Sequence, residues 1–151
     1  MALQSALINV MEKAARKAGS RLARDFGEVE NLQVSRKGPS DFVSKADLKA
    51  EKIITEELQY ARPQFGFVVE EGEDVPPTEG SNSVWIIDPL DGTTNFLHGI
   101  PHFAISIALE QAGEIIAAII YNPISDDMFW AEKGRGAYLN NRRLQVSGRK
   151  N

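Results

Sequence analysis

The spacing of apolar residues divides the chain into a helical first part and a β-rich second part. Apolar residues recur every three or four positions over residues 3–26, which predicts an amphipathic helix that ends at Gly27. Its apolar stripe consists of Leu3, Leu7, Met11, Ala14, Ala18, Leu22 and Phe26. Charged residues lie between these positions, so we expect one face of the helix to pack on a core.

A second helix is predicted over residues 44–62, with an apolar stripe of the same period. Ser44 is followed three residues later by Asp47, which is the pattern of a helix-capping pair. The preceding segment contains Gly38-Pro39 and is predicted to be a loop, because both residues favour turns. Pro63 follows the predicted end of the helix, where it cannot continue the helical hydrogen bonding.

The apolar period changes after the second helix and predicts a run of strands. The strands are predicted within residues 65–71, 84–88, 103–110 and 114–121, with a polar loop over 72–83 and a hairpin turn at 111–113. Two or three short strands follow, with turns at 134–136 and 140–141. Two helices followed by a mostly antiparallel sheet predict an α+β fold in which the helices pack on one face of the sheet.

Composition and charge exclude several classes of function. The chain has 151 residues and a formal net charge of -4, which makes nucleic acid an unlikely main partner because phosphate backbones need clustered Lys and Arg. It contains no cysteine, so disulfides, thiolate nucleophiles and cysteine–zinc sites are excluded. The first residues lack the pattern of a signal peptide, and no apolar run is long enough to span a membrane. A soluble cytoplasmic protein without a membrane partner is therefore expected.

Carboxylates follow two of the predicted strands at the points where these strands end. Glu70 ends one strand, and Asp88 and Asp91 end the next. Neighbouring strands that both end in carboxylates can bring them to one sheet edge, where they need a cation to stay ionised together. Oxygen ligands suit Mg²⁺, and Pro89 stiffens the backbone so that both aspartates and the Leu90 carbonyl can face one point.

The residues after Asp91 supply a candidate phosphate cradle. Gly92 permits close approach of the backbone, and amide groups at the start of a short helix bind anions. The same residues also have a structural interpretation, because Asp91-Gly92 can form a turn and Thr93 or Thr94 can cap a helix. The sequence pattern leaves both interpretations open.

The other polar residues also have structural explanations. Glu70 and Glu71 can belong to a solvated acidic loop, and Asp47 can be a cap or a first-turn acid. His98 and His102 are the only histidines, and we interpret them as structural because their neighbours are rich in oxygen ligands. The Asp-x-x-Asp spacing matches neither an EF-hand nor an Asp-x-Asp phosphatase, and no Gly-x-x-x-x-Gly-Lys loop occurs.

Taken together, these segments resemble the inositol monophosphatase family, a branch of the Mg²⁺-dependent, lithium-sensitive phosphatases that includes fructose-1,6-bisphosphatases. Residues 88–95 match its signature Asp-Pro-x-Asp-Gly-Thr-x-Asn. Residues 41–47 and 68–73 resemble two further family segments, with Val69 in place of the usual glycine. The resemblance covers essentially the whole chain and implies the N-terminal half of the family's layered α/β sandwich.

The resemblance also implies a set of metal ligands. Glu70, Asp88 and the Leu90 carbonyl would hold a first Mg²⁺, and Asp88 and Asp91 would share a second. Glu70 would also touch a third, weaker ion through water, and the resemblance implies a catalytic role for Glu70 together with Asp47 and Thr93.

For the reaction itself, the resemblance implies roles for residues around the start of the short helix. Thr93, hydrogen-bonded towards Asp47, would orient and activate the attacking water. The Gly92 and Thr93 amides would hold the phosphate, and Asp91 would position a substrate hydroxyl. Lys37 lies in a loop that family members bring near the site.

The implied activity is direct hydrolysis of a phosphate monoester such as inositol 1-phosphate by a homodimer. Two metal ions would stabilise the attacking and leaving oxygens of an in-line displacement. Fructose bisphosphate, 3′-phosphoadenosine phosphate, histidinol phosphate and NADP are rival substrates within the family. The alternative is a non-catalytic binding module in a ribosomal RNA transcription complex, for which residues 134–150 are the candidate basic surface.

One departure from the family limits these implications. Its second signature, Trp-Asp-x-Ala-Ala-Gly, is absent, since neither Trp85 nor Trp130 is followed by Asp. In the family, that segment supplies the last aspartate ligand of the second metal and the groups that recognise the substrate. We therefore expect residues 1–151 to be the N-terminal metal-binding domain, without the family's C-terminal substrate domain and with one apolar sheet face exposed.

Overall fold

Two long helices precede one sheet in the computed structural model, which describes residues 4–29, 38–70 and 72–150. The helices are α1 (Ala6–Gly27), α2 (Pro39–Ala61) and the short α3 (Thr93–Leu97). The strands are β1 (Gly66–Val69), β2 (Ser83–Asp91), β3 (Ala104–Gln111), β4 (Glu114–Asn122), β5 (Asp127–Glu132), β6 (Gly136–Leu139) and β7 (Arg142–Arg143). Within these residues, no helix is long and apolar enough to cross a membrane.

The strands follow one another across the sheet in chain order. β1 and β2 are parallel, and each later strand is antiparallel to the one before it. The helix α1 contacts β3, β4 and β5, whereas α2 contacts β2 and packs along α1. The predicted α+β architecture, with the helices on one face of a mostly antiparallel sheet, is confirmed.

The core lies between the two long helices and the sheet face that they cover. Alternate residues of the strands point into it and are buried, and they include Trp85, Ile87, Ile105, Ile107, Leu109, Ile119 and Trp130. Each fully buried side chain of this kind stabilises the fold by about 1.5–3 kcal/mol. Phe26, Phe96 and Phe103 form a three-ring cluster with centroids 5.0–5.6 Å apart, which ties α3 to the end of α1.

The start of the second helix differs from the prediction. The helix α2 begins at Pro39, with Gly38 as its N-cap, so the predicted loop at these residues is wrong. Proline is favoured at this position because the first helical N–H groups have no partner within the helix. Ser44 and Asp47 therefore lie inside α2, and neither the capping pair nor a first-turn role for Asp47 is correct.

The hairpin between β3 and β4 is tighter than predicted. Gln111 still pairs with Glu114 in the ladder, so the turn consists of Ala112 and Gly113 alone rather than residues 111–113. Both turn residues have positive φ, 51° and 82°. This is the geometry of a two-residue turn whose twist matches that of the flanking strands.

A close contact between α1 and the end of β4 requires a glycine. A Cβ atom on Gly19 would lie 2.7 Å from Cε2 of Tyr121 and 3.0 Å from Cβ of Pro123. The Tyr121 hydroxyl donates a hydrogen bond of 2.8 Å to Asp126, which also accepts one of 2.9 Å from Arg16. Burial and the Asp126 carboxylate raise the pKa of Tyr121 to about 12.

We predict that Gly19→Ala destabilises the protein by about 1–3 kcal/mol, because the new methyl group overpacks the contact with Tyr121. The better helix propensity of alanine offsets only about 1 kcal/mol of this cost. Gly27→Ala is the matched control, since a Cβ there would meet no atom within 4 Å. Urea unfolding followed by circular dichroism measures the stability of both variants. Equal unfolding midpoints for the two variants would contradict the packing account.

The face of the sheet turned away from the helices is apolar and open. Ala108, Ala118, Ala131 and Ala137 form one row of paired residues across β3 to β6. Ser106, Ile120, Phe129 and Leu139 form the next row across the same strands. Ile120 is 49% exposed and Phe129 is 39% exposed. Soluble monomers rarely expose large contiguous apolar patches.

We predict that the 151-residue chain self-associates through this open face. Ile120→Lys should shift the molecule towards the monomer, because a charge at the centre of the two rows would have to be desolvated in the contact. Tyr60→Lys is the control, since Tyr60 is exposed on α2 and away from the open face. Sedimentation velocity measures the oligomeric state of the unmodified chain and both variants. If the unmodified chain stayed monomeric at high concentration, the prediction would be refuted.

Candidate active site

The parallel pairing of β1 and β2 brings the ends of both strands to one edge of the sheet. Val69 is the register partner of Ile87, so Glu70 and Asp88 each follow a paired position on adjacent strands. Parallel strands put their carboxyl ends at the same sheet edge, as the sequence prediction assumed. Glu70 is exposed and Asp88 is half-buried.

A bulge at the end of β2 sets the relation between its two aspartates. Asp88 pairs with Ser106 and Asp91 pairs with Ala104, so β2 has one more residue than β3 between these pairs. Residues three apart in a regular strand point to opposite faces, whereas Ser106 and Ala104 belong to one face of β3. The extra residue therefore places Asp88 and Asp91 on the same face of the sheet.

Leu90 holds the bulge in place. Its side chain is buried, and its N–H donates a hydrogen bond of 3.3 Å to Oδ1 of Asp88. The bond turns one oxygen of Asp88 back towards the bulge. The role of the Leu90 carbonyl as a metal ligand stays a prediction.

Asp47 and Thr93 lie on the wall of one cavity. Asp47 is only 3% exposed and projects from α2, and Thr93 is the first residue of α3. The cavity has a volume of about 280 Å³, and its remaining lining residues are Ser40, Val43, Ser44, Thr94 and Leu97. A carboxylate that shares a cavity with a threonine can orient the threonine hydroxyl once the two come within hydrogen-bond distance, because a carboxylate is a strong acceptor.

The turn from β2 into α3 requires the glycine at its centre. Gly92 has a φ of 95°, and a Cβ there would lie 3.0 Å from the carbonyl oxygen of His102. Asn95 donates a hydrogen bond of 2.7 Å to the same carbonyl, which fastens the segment before β3 onto α3. The His98 ring nitrogen Nδ1 is 2.8 Å from the carbonyl oxygen of Thr94. The contact of the His98 ring agrees with the structural interpretation of that histidine, whereas His102 takes part only through its backbone carbonyl.

The donor groups at this edge are chemically suited to a hard cation, since they are carboxylate and carbonyl oxygens. Among residues 4–29, 38–70 and 72–150, however, no three Asp, Glu or His side chains are arranged as a metal cluster. The convergence of Glu70, Asp88 and Asp91 therefore stays a prediction. Lys37 and Glu71, which the sequence analysis also named, lie outside the described residues.

Glu51 is a further residue near this edge that the sequence pattern did not single out. It lies one helical turn after Asp47 on α2 and is only 7% exposed. A Cβ on Gly72 would lie 2.9 Å from Oε2 of Glu51, so this carboxylate contacts the segment that follows Glu70. The four-residue spacing from Asp47 is the signal that could have identified it, because such residues share a helix face.

Comparison with known proteins agrees with the motif at the end of β2. The model of the inositol monophosphatase family matches residues 3–151. The inositol-1-monophosphatase of Rhizobium meliloti (strain 1021) is 64% identical over 147 residues, which cover 97% of this chain and 55% of that protein. The Nus factor SuhB of Xylella fastidiosa (strain Temecula1 / ATCC 700964) is 43% identical over 98% of this chain and 53% of its own length.

Solved structures show the same fold. The crystal structure of the extragenic suppressor protein SuhB from Bartonella henselae superposes with a TM-score of 0.85 at 61% identity, over 96% of this chain and 56% of that one. The inositol monophosphatase from Anabaena (Nostoc) sp. PCC 7120 superposes with a TM-score of 0.78 at 31% identity, over 95% of this chain and 50% of that one. The chain spans about half the length of the curated relatives that it matches. With its family motif at the end of β2 and a match over nearly all its residues, the chain belongs to the inositol monophosphatase family.

Proposed function

We propose that this chain forms the metal-binding part of a Mg²⁺-dependent phosphate monoester hydrolase, most similar to inositol-1-phosphate phosphatases. The observation that carries the proposal is the bulge between Asp88 and Asp91 at the same sheet edge as Glu70. The name of the Rhizobium meliloti relative supports an inositol phosphate as the substrate. Substrate selection would rest largely on the part of the relatives' length that this chain does not cover.

Four oxygen donors would hold the cation. They are the carboxylates of Glu70, Asp88 and Asp91 and the carbonyl of Leu90. Two or three Mg²⁺ ions are proposed, with Asp88 shared between two of them. When bound, Mg²⁺ would stabilise negative charge on the phosphate and on the attacking and leaving oxygens.

The remaining residues would position water and substrate. Thr93 would orient the attacking water through its hydroxyl, and Asp47 would accept a hydrogen bond from that hydroxyl. The Gly92 and Thr93 amides would bind a phosphate oxygen, because the glycine lets the backbone approach closely. Asp91 would position a substrate hydroxyl, and Lys37 would lie near the phosphate.

At the level of the assembly, we propose that residues 1–151 act as the metal-binding domain and that the working enzyme is a homodimer. The open face of the sheet supports the first part, because it offers a large apolar surface for another part of the enzyme. The proposal on the dimer rests on the family alone.

We predict that Asp88→Asn weakens Mg²⁺ binding at least about tenfold, because it removes a ligand charge that two ions would share. The unfolding temperature should stay unchanged, since Asp88 is not part of the core. Isothermal titration calorimetry with Mg²⁺ measures the dissociation constant.

Glu114→Gln is the control for this measurement, because it also removes one carboxylate but lies at the opposite end of the sheet, paired with Lys133. Its Mg²⁺ affinity should equal that of the unmodified chain. If Asp88→Asn bound Mg²⁺ as tightly as the unmodified chain, the ligand assignment would be wrong.

A second candidate function is a binding role in a ribosomal RNA transcription complex. The observation that favours it is the name of several relatives 39–43% identical, which are Nus factors. The candidate contact surface is basic: Arg142, Arg143, Arg149 and Lys150 are all exposed after β6. The guanidinium of Arg143 lies close to Gly136, where a Cβ would be 3.1 Å from its Nη2 atom.

We predict for this second function that Arg142→Glu/Arg143→Glu lowers retention of the chain on a reconstituted ribosomal RNA transcription complex by at least about tenfold, since charge reversal at a contact is strongly unfavourable. Asp88→Asn should leave retention unchanged while weakening Mg²⁺ binding. Retention that is unaffected by the charge reversal would count against the binding role.

A further inference from the structure

Residues 72–75 fold back along β1. The backbone of Phe67 exchanges two hydrogen bonds with that of Val75, 2.7 Å and 2.8 Å long. Oδ1 of Asp74 accepts a hydrogen bond of 3.1 Å from the N–H of Val69. Gly66 permits this close return, because a Cβ there would lie 2.5 Å from the carbonyl oxygen of Val75. Asp74 and Val75, which follow Glu70 in the chain, are therefore fixed to β1.

Gly72 lies at the tip of this return, between two side chains. A Cβ on Gly72 would be 2.9 Å from Oε2 of Glu51 and 3.6 Å from a γ-methyl group of Val69. The first distance is too short for a real Cβ, so a glycine is needed if Glu51 is to keep its place. Glu51 thus reaches from α2 to the segment that carries Glu70.

The burial of Glu51 makes this contact unusual. It is 7% exposed, whereas Glu56, just over one turn further along the same helix, is exposed. Removing a carboxylate from water costs several kcal/mol unless hydrogen bonds or ion pairs compensate. A buried carboxylate therefore needs fixed polar surroundings, and these tie its position to the segments around it.

We propose that Glu51 is a positioning residue for Glu70: its buried carboxylate, seated against Gly72, holds the segment after β1 so that the Glu70 carboxylate lies beside Asp88. This inference rests on the proposed function, because it assigns Glu51 a role in metal affinity. Glu51 is not a ligand in this scheme. It acts on the cation only through the placement of Glu70.

The test compares Glu51→Ala with Glu56→Ala in the full 151-residue chain, with Mn²⁺ as the probe cation. Loss of a group that orients a ligand typically costs 10–100-fold in metal affinity, so the Mn²⁺ dissociation constant of Glu51→Ala should rise by that factor. Glu56→Ala removes the same charge from the same helix and should leave it unchanged. Electron paramagnetic resonance of free Mn²⁺ gives the constants.

Glu51→Gln is the conservative variant in the same titration. It keeps the shape of the side chain and one acceptor oxygen, so we expect a smaller rise in the Mn²⁺ dissociation constant than for Glu51→Ala. If Glu51 merely filled space, both variants would bind Mn²⁺ normally while folded, and the inference would be wrong.

Hydrogen exchange separates this inference from the proposed function. The amides of Val69 and Val75 are hydrogen-bonded within the return segment, so Glu51→Ala should speed their exchange in metal-free buffer, and Glu56→Ala should not. An unmodified chain that binds no Mn²⁺ would refute the proposed metal site. The exchange rates would then still decide whether Glu51 positions the segment, and unchanged rates would overturn that role.

Discussion

The parallel pairing of β1 with β2 is the constraint on which the candidate site depends. It is the point in an otherwise antiparallel sheet where two strands end at the same edge, and each end carries a carboxylate, Glu70 or Asp88. The bulge that follows adds one residue to β2 and turns Asp91 to the side of Asp88. Without either feature, the three residues would lie at different edges or faces of the sheet, so the predicted convergence requires both.

The helix α2 packs against the strand that carries Asp88 and Asp91. The two buried carboxylates on one of its faces reach the two segments that leave the sheet. Asp47 shares a cavity with Thr93 after β2, and Glu51 contacts Gly72 after β1. Placing several carboxylates close together is electrostatically costly, and a bound cation offsets that cost. If the carboxylates converge as proposed, their mutual repulsion would therefore favour metal binding.

The sequence was sufficient for the architecture but not for every boundary or contact. The stripe of α1 and the alternation of β3 follow from burial on one face, so periodicity predicts them. The start of α2 was placed at Ser44 because Gly38 and Pro39 are common in turns, yet proline is equally suited to a first helical turn. The bulge at Asp91 and the proximity of Glu51 to Gly72 could not be predicted, because both depend on segments that are distant in the chain.

A crystal structure of the chain grown with Mn²⁺ tests the central claim most directly, because anomalous scattering locates the ion independently of the protein density. The account predicts a peak at the carboxyl edge of β1 and β2, within bonding distance of Glu70, Asp88 and the Leu90 carbonyl oxygen. A structure with the Glu70 and Asp88 carboxylates on opposite faces of the sheet, and no peak between them, would contradict it.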